Sequence, residues 1–277
     1  MSIYHIKKWR LILTPPARGS WNMAVDEAIL KCMPTGQTLP TLRLYAWEPA
    51  CLSIGYAQSH SDANTAKLND LDWDFVRRPT GGKAILHFNE LTYAIIGPAD
   101  DPRLAGSVLE SYKRLSKALL QALKQLKTSA QAVEINKSIN DDRTQNPVCF
   151  EIPSNYEITV DGKKLIGSAQ ARRREGVLQH GSLPLFGDIT DIIKVLSFVD
   201  MKEQSKASHR LAGRATTLEA ILGNRVTWEQ AANEFIIAFQ QVLNIELEPG
   251  ELSRSEQEQV TELEKNKYCN PEWTRRI

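Results

Sequence analysis

The run Arg77-Arg78-Pro79-Thr80-Gly81-Gly82-Lys83-Ala84-Ile85-Leu86-His87 sets two arginines ahead of a glycine pair and a histidine after it. Gly81-Gly82 has backbone freedom that residues with a Cβ lack, so a ligand can lie against bare main chain and its N–H groups there. A hairpin turn with solvated arginines accounts for the same residues. Lys83 is not followed by the Ser or Thr of a nucleotide-binding P-loop, and the loop leads into a strand rather than a helix, which argues against that motif.

A second candidate is a thiol. Cysteines stand at 32, 51, 149 and 269, with no Cys-x-x-Cys pair and no His spaced to complete a zinc site, so they read as free thiols of a reducing compartment. Cys149 follows a polar stretch, Ser129 to Pro147, in which Asn140 to Pro147 reads as an exposed, mobile loop. A side chain there reaches a substrate while the scaffold stays rigid. An unassisted thiol of pKa ~8.5 is only a few per cent thiolate at neutral pH, so a nucleophilic Cys149 needs a cation, for which Lys164 is the candidate. The plainer reading is a small buried hydrophobe. Lys163 points to the opposite strand face, toward solvent.

These residues need a scaffold. Trp9 to Thr14, Thr41 to Trp47 and Cys51 to Tyr56 read as strands, and Phe75 to Ile96 as strand, tight loop, strand. Ser20 to Lys31 reads as an amphipathic core helix with Asn22 or Ser20 as N-cap. Ser107 to Lys127 carries a clear apolar stripe, from Val108 and Leu109 to Leu126. Tyr156 to Val160, Asp161-Gly162 and Lys163 to Ser168 form a hairpin. A second hairpin runs from Ser168 to Ala171, through a charged turn Arg172 to Gly176, to Val177–Leu185. Ile189 to Phe198 reads as helix and Leu211 to Ala215 as loop. Thr216 to Glu219 and Thr227 to Gln230 have capping-box spacing, the latter with Val226 stapled on Ala231. Leu252 to Lys267 is a last polar helix.

Hydrophobic residues make up 42% of the 277 residues and charged ones 24%, with formal net charge +1, which gives no global field toward nucleic acid or a membrane surface. No leader or membrane-spanning apolar run is read, so the expectation is a cytoplasmic protein.

The run from Arg77 to His87 resembles the signature loop of the biotin/lipoate protein ligase superfamily, which covers the acyl chain and its activated carbonyl. Asn22 to Ala28 resembles that superfamily's first helix, and Trp47-x-Pro49 with Gly55-Tyr56 resembles one wall of its acyl pocket. Cys149-Phe150-Glu151-Ile152-Pro153-Ser154, Asp161 to Gln170, and Gln179-His180-Gly181-Ser182-Leu183 are similar to its octanoyltransferases, which carry an acyl-thioester cysteine in this loop. The likeness runs from Trp9 to Trp273.

The resemblance implies an α/β (α+β) fold, a mixed, largely antiparallel sheet flanked by helices, with residues 1–215 as catalytic domain and 216–277 as a C-terminal helical segment. It implies Cys149 as nucleophile and Lys164 as the lysine aimed at the reacting carbonyl. Arg77, Arg78, Gly81, Gly82, Lys83, His87, Gly167, Ser168, Ala169, His180 and Gly181 become substrate-binding residues, with no metal and no cofactor. The implied donor is octanoyl-acyl carrier protein. The acceptor is a lipoyl-domain protein such as glycine cleavage H protein or a 2-oxoacid dehydrogenase E2, and the enzyme is a monomer. Such carriers are acidic, so Arg172 to Arg174 either steers them or is a solvated turn. Phe88 stands where relatives usually have Asp, and Lys83 replaces the third glycine of ATP-dependent ligases. His87 and His180 also fit satisfied core histidines. The rival readings are an ATP-dependent lipoate-protein ligase and a non-catalytic lipoyl-domain-binding or acyl-sensing protein.

Overall fold

The apolar run from Leu91 to Ile96 forms the middle of a sheet covered on both faces. In the computed structural model, which describes residues 4–36, 38–134 and 156–277, the elements run β1 (Lys7–Leu13), α1 (Gly19–Cys32), β2 (Thr41–Tyr45), β3 (Cys51–Ile54), α2 (Thr65–Asp70), β4 (Asp74–Arg77), β5 (Ile85–His87) and β6 (Glu90–Gly97). They continue with α3 (Val108–Gln125), β7 (Gln131–Glu134), β8 (Tyr156–Val160), β9 (Lys163–Arg173), β10 (Gly176–Pro184), α4 (Met201–Arg214), α5 (Leu218–Leu222), α6 (Trp228–Leu243), β11 (Ile245–Pro249), α7 (Arg254–Leu263) and α8 (Pro271–Thr274). Cys149 to Ser154 and the loop Asn140 to Pro147 lie outside the described residues.

The main sheet has eight described strands in the order β11-β1-β2-β6-β10-β9-β8-β7. Both pairings of β1 are parallel and the others antiparallel, so the expected mixed, largely antiparallel sheet is found. Side chains alternate across a strand. Leu91, Tyr93 and Ile95 therefore enter a core with Leu115 and Leu119 of α3 and Phe235 and Phe239 of α6. Ala94 and Ile96 meet Met23, Ala24 and Ile29 of α1 together with Val260 and Leu263 of α7. A smaller sheet, β4-β3-β5, packs Leu52, Ile54 and Ile85 on Ile192, Val195 and Leu211.

Several local expectations change. β4 and β5 both pair with β3, one parallel and one antiparallel, so the glycine loop is a crossover rather than a hairpin turn. Helix α1 is buried on more than one face, because the sheet and α7 cover it from two sides; its N-cap is Arg18, with no side-chain cap bond, while Asn22 lies buried inside the helix. β9 runs on through Arg173, leaving Arg174-Glu175 as the turn. Leu211 to Arg214 ends α4 instead of forming a loop, and Ile189–Val195 is a 3-10 turn. The first late cap is Thr217, whose hydroxyl accepts from Ala220 N, while Glu219 binds Arg225. The box at Thr227 and Gln230 forms as expected. Residues after 216 also supply β11, the outermost strand beside β1, so this segment is not purely helical. No helix among the described residues is long and apolar enough to cross a membrane.

Candidate active site

A narrow pocket lies between the small sheet and the strands β9 and β10, lined by Arg78, Ile85, His87, Gly167, Ala169, His180, Gly181 and Ser182 with Met23, Tyr45, Trp47 and Thr92. Its floor exists because β9 and β10 carry small residues there. A Cβ at Gly181 would lie 2.6 Å from Tyr93 Cε1 and 2.7 Å from Gly167 O, so only glycine allows these strands to approach. Gly55 meets the same demand at the glycine loop, where a Cβ would sit 1.8 Å from Gly82 O.

Two buried carboxylate, imidazole and hydroxyl relays hold the walls. Glu90 Oε1 bonds His87 Nδ1 at 2.8 Å, and His87 Nε2 bonds Ser53 Oγ at 2.8 Å. Thr92 and Ser182 donate their hydroxyls to Glu90, and Trp47 stacks on His87 at 3.9 Å. In the second relay Asp26 Oδ2 bonds His180 Nδ1 at 3.2 Å, and His180 Nε2 bonds Thr80 Oγ1 at 2.6 Å. Asp26 also accepts from Arg43 Nη1 at 2.7 Å and from Tyr45 OH at 2.8 Å.

Burial would raise the Asp26 carboxyl, but Arg43 and His180 outweigh it and hold it below its ordinary value. Burial lowers His180, against the opposing pull of Asp26. A neutral His180 then donates through Nδ1 to Asp26 and accepts the Thr80 hydroxyl at Nε2. Both imidazoles are thus taken by protein groups and act as wall and tether, the satisfied-histidine arrangement. Thr80 ties the glycine loop to β10 through His180.

The arginines are not solvated. Arg77, 0% exposed, donates to the carbonyls of Gly55, Tyr56, Gln58, Trp273 and Thr274, joining the C-terminal segment to the loop after β3. It does not line the cavity. Arg78 grips the carbonyls of Ser53, Gly81 and Lys83 from inside the glycine loop and lines the cavity too. Gly81, Gly82 and Lys83 face a separate outer cleft. Ser168 lies on the other sheet face, bonded to Tyr93 OH at 2.7 Å.

Lys164 does not line the cavity, but an irregularity in β9 turns it to the face that does. Its register sets Thr159 opposite Lys164 and Ile158 opposite Ile166, which leaves Leu165 as an extra residue. Leu165 and Ile166 consequently both enter the same core. In a regular strand Lys164 and Gly167, an odd number apart, would face opposite ways; the bulge brings them to one face. Lys164 is buried, with Nζ 2.8 Å from Glu157 Oε1. Lys163 is exposed and bonds Ala212 O, as expected for its neighbour.

Burial pushes the thiols of Cys32 and Cys51 up, that of Cys51 well above its ordinary value. Cys269 is exposed, and none of the three lines the cavity. No cluster of metal-ligating residues occurs among the described residues. Sequence reasoning missed Asp26, Ser53, Thr80, Glu90 and Glu157; a carboxylate within the apolar run Met23 to Leu30 was the available sign of a buried charge.

The architecture is that of the lipoate protein ligases. An archaeal bipartite lipoate protein ligase from Thermoplasma acidophilum, solved with its E2 lipoyl domain, superposes with a TM-score of 0.81 at 22% identity, covering 98% of this chain and 97% of that one. Lipoate-protein ligase A bound with ATP gives 0.77 at 22% identity over 97% and 98%. Residues 18–240 match the lipoyl protein ligase A/B catalytic domain. Proteins named octanoyltransferase LipM are 36% identical in Brevibacillus brevis and 38% identical in Kyrpidia tusciae, each over 98% of this chain and all of the relative. The Bacillus subtilis protein of that name is 35% identical over 96% of this chain and 97% of its own. The chain belongs to the lipoyl protein ligase A/B catalytic domain family.

Proposed function

We propose that this protein is an octanoyltransferase of lipoate assembly, taking octanoyl from octanoyl-acyl carrier protein and placing it on a lysine of a lipoyl-domain protein. Full-length similarity to octanoyltransferases supports the reaction, and the observation that carries the site is the bulge that turns buried Lys164 to the same strand face as Gly167 and Ala169, which line the small-residue cavity.

In the first step the Cys149 thiolate attacks the carbonyl carbon of the donor thioester. The carrier thiolate leaves and takes up the proton that Cys149 gave up. In the second step the acceptor ε-amine attacks the Cys149 thioester, an amide forms, and the amine's proton returns to the departing sulfur. Thioester exchange is near neutral in free energy and aminolysis runs downhill, so ATP is not required. The Lys164 ammonium, held by Glu157, faces negative charge developing on the carbonyl oxygen in both steps, where a fixed donor in a water-poor site is most effective. Gly167 and Ala169 present only small residues to the acyl chain, and Trp47, Met23 and Ile85 supply apolar wall.

The test is transfer to a lipoyl domain from octanoyl carrier with ATP and Mg²⁺ omitted. Transfer is expected; strict dependence on ATP with free octanoate would move the assignment to a ligase.

A further inference from the structure

Beyond the acyl cavity, the open cleft bounded by Tyr56, Gln58, Pro79, Gly81, Gly82, Lys83 and β9 residues Gln170 to Arg173 has no part in the chemistry described above. None of the described residues that line it carries a carboxylate. Arg173 projects from its floor, with Nη2 on Pro79 O at 3.3 Å and its guanidinium 5.5 Å from the Tyr56 ring. Arg276 lies 3.8 Å over the same ring and donates to Tyr56 O at 2.6 Å. Arg276, then the charge of Arg173, pulls the Tyr56 hydroxyl below its ordinary value, a sign of positive potential there.

Across the cleft, Gly81 and Gly82 are exposed, a Cβ on Gly81 would meet nothing within 4 Å, and none of the described residues accepts from the N–H groups of Gly81, Gly82 or Lys83. The Lys83 ammonium is likewise without a partner among the described residues. Arg172 does not contribute its charge, since its guanidinium binds Leu104 O on the other sheet face.

Strand alternation links the two sites. Gly167 and Ala169 floor the acyl cavity, and Ala171 and Arg173 continue the same face into the cleft. At a rise of about 3.3 Å per residue, Arg173 lies about 13 Å from Ala169 and about 20 Å from Gly167. A phosphopantetheine arm, with two amide units between its sulfur and its phosphate, matches four to five residues of extended chain, roughly 15 Å. An acyl thioester over Gly167 and Ala169 would therefore set its phosphate at Arg173 and Lys83.

We propose that this cleft is the subsite for the phosphate of a phosphopantetheine donor arm, held by Arg173, Lys83 and the N–H groups of Gly81 and Gly82. The proposal rests on the transferase reading above. A nucleotide phosphate shares this chemistry, and the arm is favoured because the strand face between phosphate site and acyl cavity carries only the small residues Gly167, Ala169 and Ala171.

Two measurements test it. The first is kcat/KM with S-octanoyl-4′-phosphopantetheine over that with S-octanoyl-pantetheine, in wild type and in the Arg173→Ala/Lys83→Ala protein. The second is direct calorimetric binding of 4′-phosphopantetheine, pantetheine and ATP to the same two proteins. The phosphorylated donor is expected to be preferred about tenfold or more in wild type, the ratio falling toward one in the variant, with 4′-phosphopantetheine binding tighter than either pantetheine or ATP. Equal kcat/KM for the two donors, a preference that survives in the variant, or tighter binding of ATP overturns the subsite. Absent transfer from either donor with the calorimetric preference intact counts against the transferase reading and supports the subsite.

Discussion

Changing Lys164 to Met removes an ammonium that is 5% exposed and 2.8 Å from a Glu157 carboxylate that is 9% exposed. Most of the aliphatic stem survives, so the main loss is charge. Removing this buried cation from Glu157 is expected to destabilise the fold by up to roughly 3–5 kcal/mol, which at roughly 2–4 °C per kcal/mol for a domain of this size lowers Tm by up to about 6–20 °C. Loss of a preorganised donor to the oxyanion is expected to cut kcat by about 10²–10³. The double change Lys164→Met/Glu157→Gln separates these effects, because the carboxamide carries no charge that calls for the lost ammonium. Thermal melts of the double variant should recover most of the lost Tm, while single-turnover acylation and transfer stay 10²–10³ down, at roughly the single variant's level. Recovery of activity together with stability would refute the reasoning and reduce Lys164 to a structural cation.

Three further outcomes follow from the site. Gly181→Ala forces a methyl to 2.6 Å from the Tyr93 ring and 2.7 Å from Gly167 O; it should lower stability by about 1–3 kcal/mol and raise KM for the octanoyl donor, read by denaturant titration and initial rates. Asp26 titrates below its unfolded value, so its stabilisation is present above that value and lost as pH falls through the folded one, while depressed His180 lets the unfolded state bind a proton first below the ordinary histidine value. Stability should fall with acid through both groups, and the acid limb of a Tm against pH curve should flatten in Asp26→Asn. Arg77→Lys cannot reproduce five carbonyl contacts with one ammonium, and limited proteolysis should release the segment after Tyr268 faster than in wild type.

The elements that sequence reasoning placed well are those whose signal is local. Asp161 and Gly162 both take positive φ, at 49° and 77°, as an Asp-Gly hairpin demands, and Thr227 with Gln230 caps α6 through side chains three residues apart. Elements defined by distant partners were not legible. Ile245 to Pro249 is short and carries two glutamates, and only its pairing with β1 makes it a strand. The stripe on α3 was read to begin at Val108, which is 48% exposed, because burial starts where α6 covers the helix. At the site Gly81 and Gly82 were found by type and spacing, and Gly167, Gly181, His87 and His180 through the family resemblance. Their partners Asp26, Glu90 and Glu157 were not, since a carboxylate's burial depends on which cation or imidazole the fold brings to it. Arg77 and Arg78 show the reverse limit, for their charge suggested solvent or substrate, and the fold spends it on backbone carbonyls.

The central claim, a covalent octanoyl group on Cys149, is tested most directly by intact-mass measurement after mixing the protein with octanoyl-acyl carrier protein in the absence of ATP. Wild type should gain one octanoyl increment that is released when a lipoyl domain is added, and the Cys149→Ala protein should gain none and transfer none. An increment that persists in Cys149→Ala, or full transfer by that variant, would contradict the account.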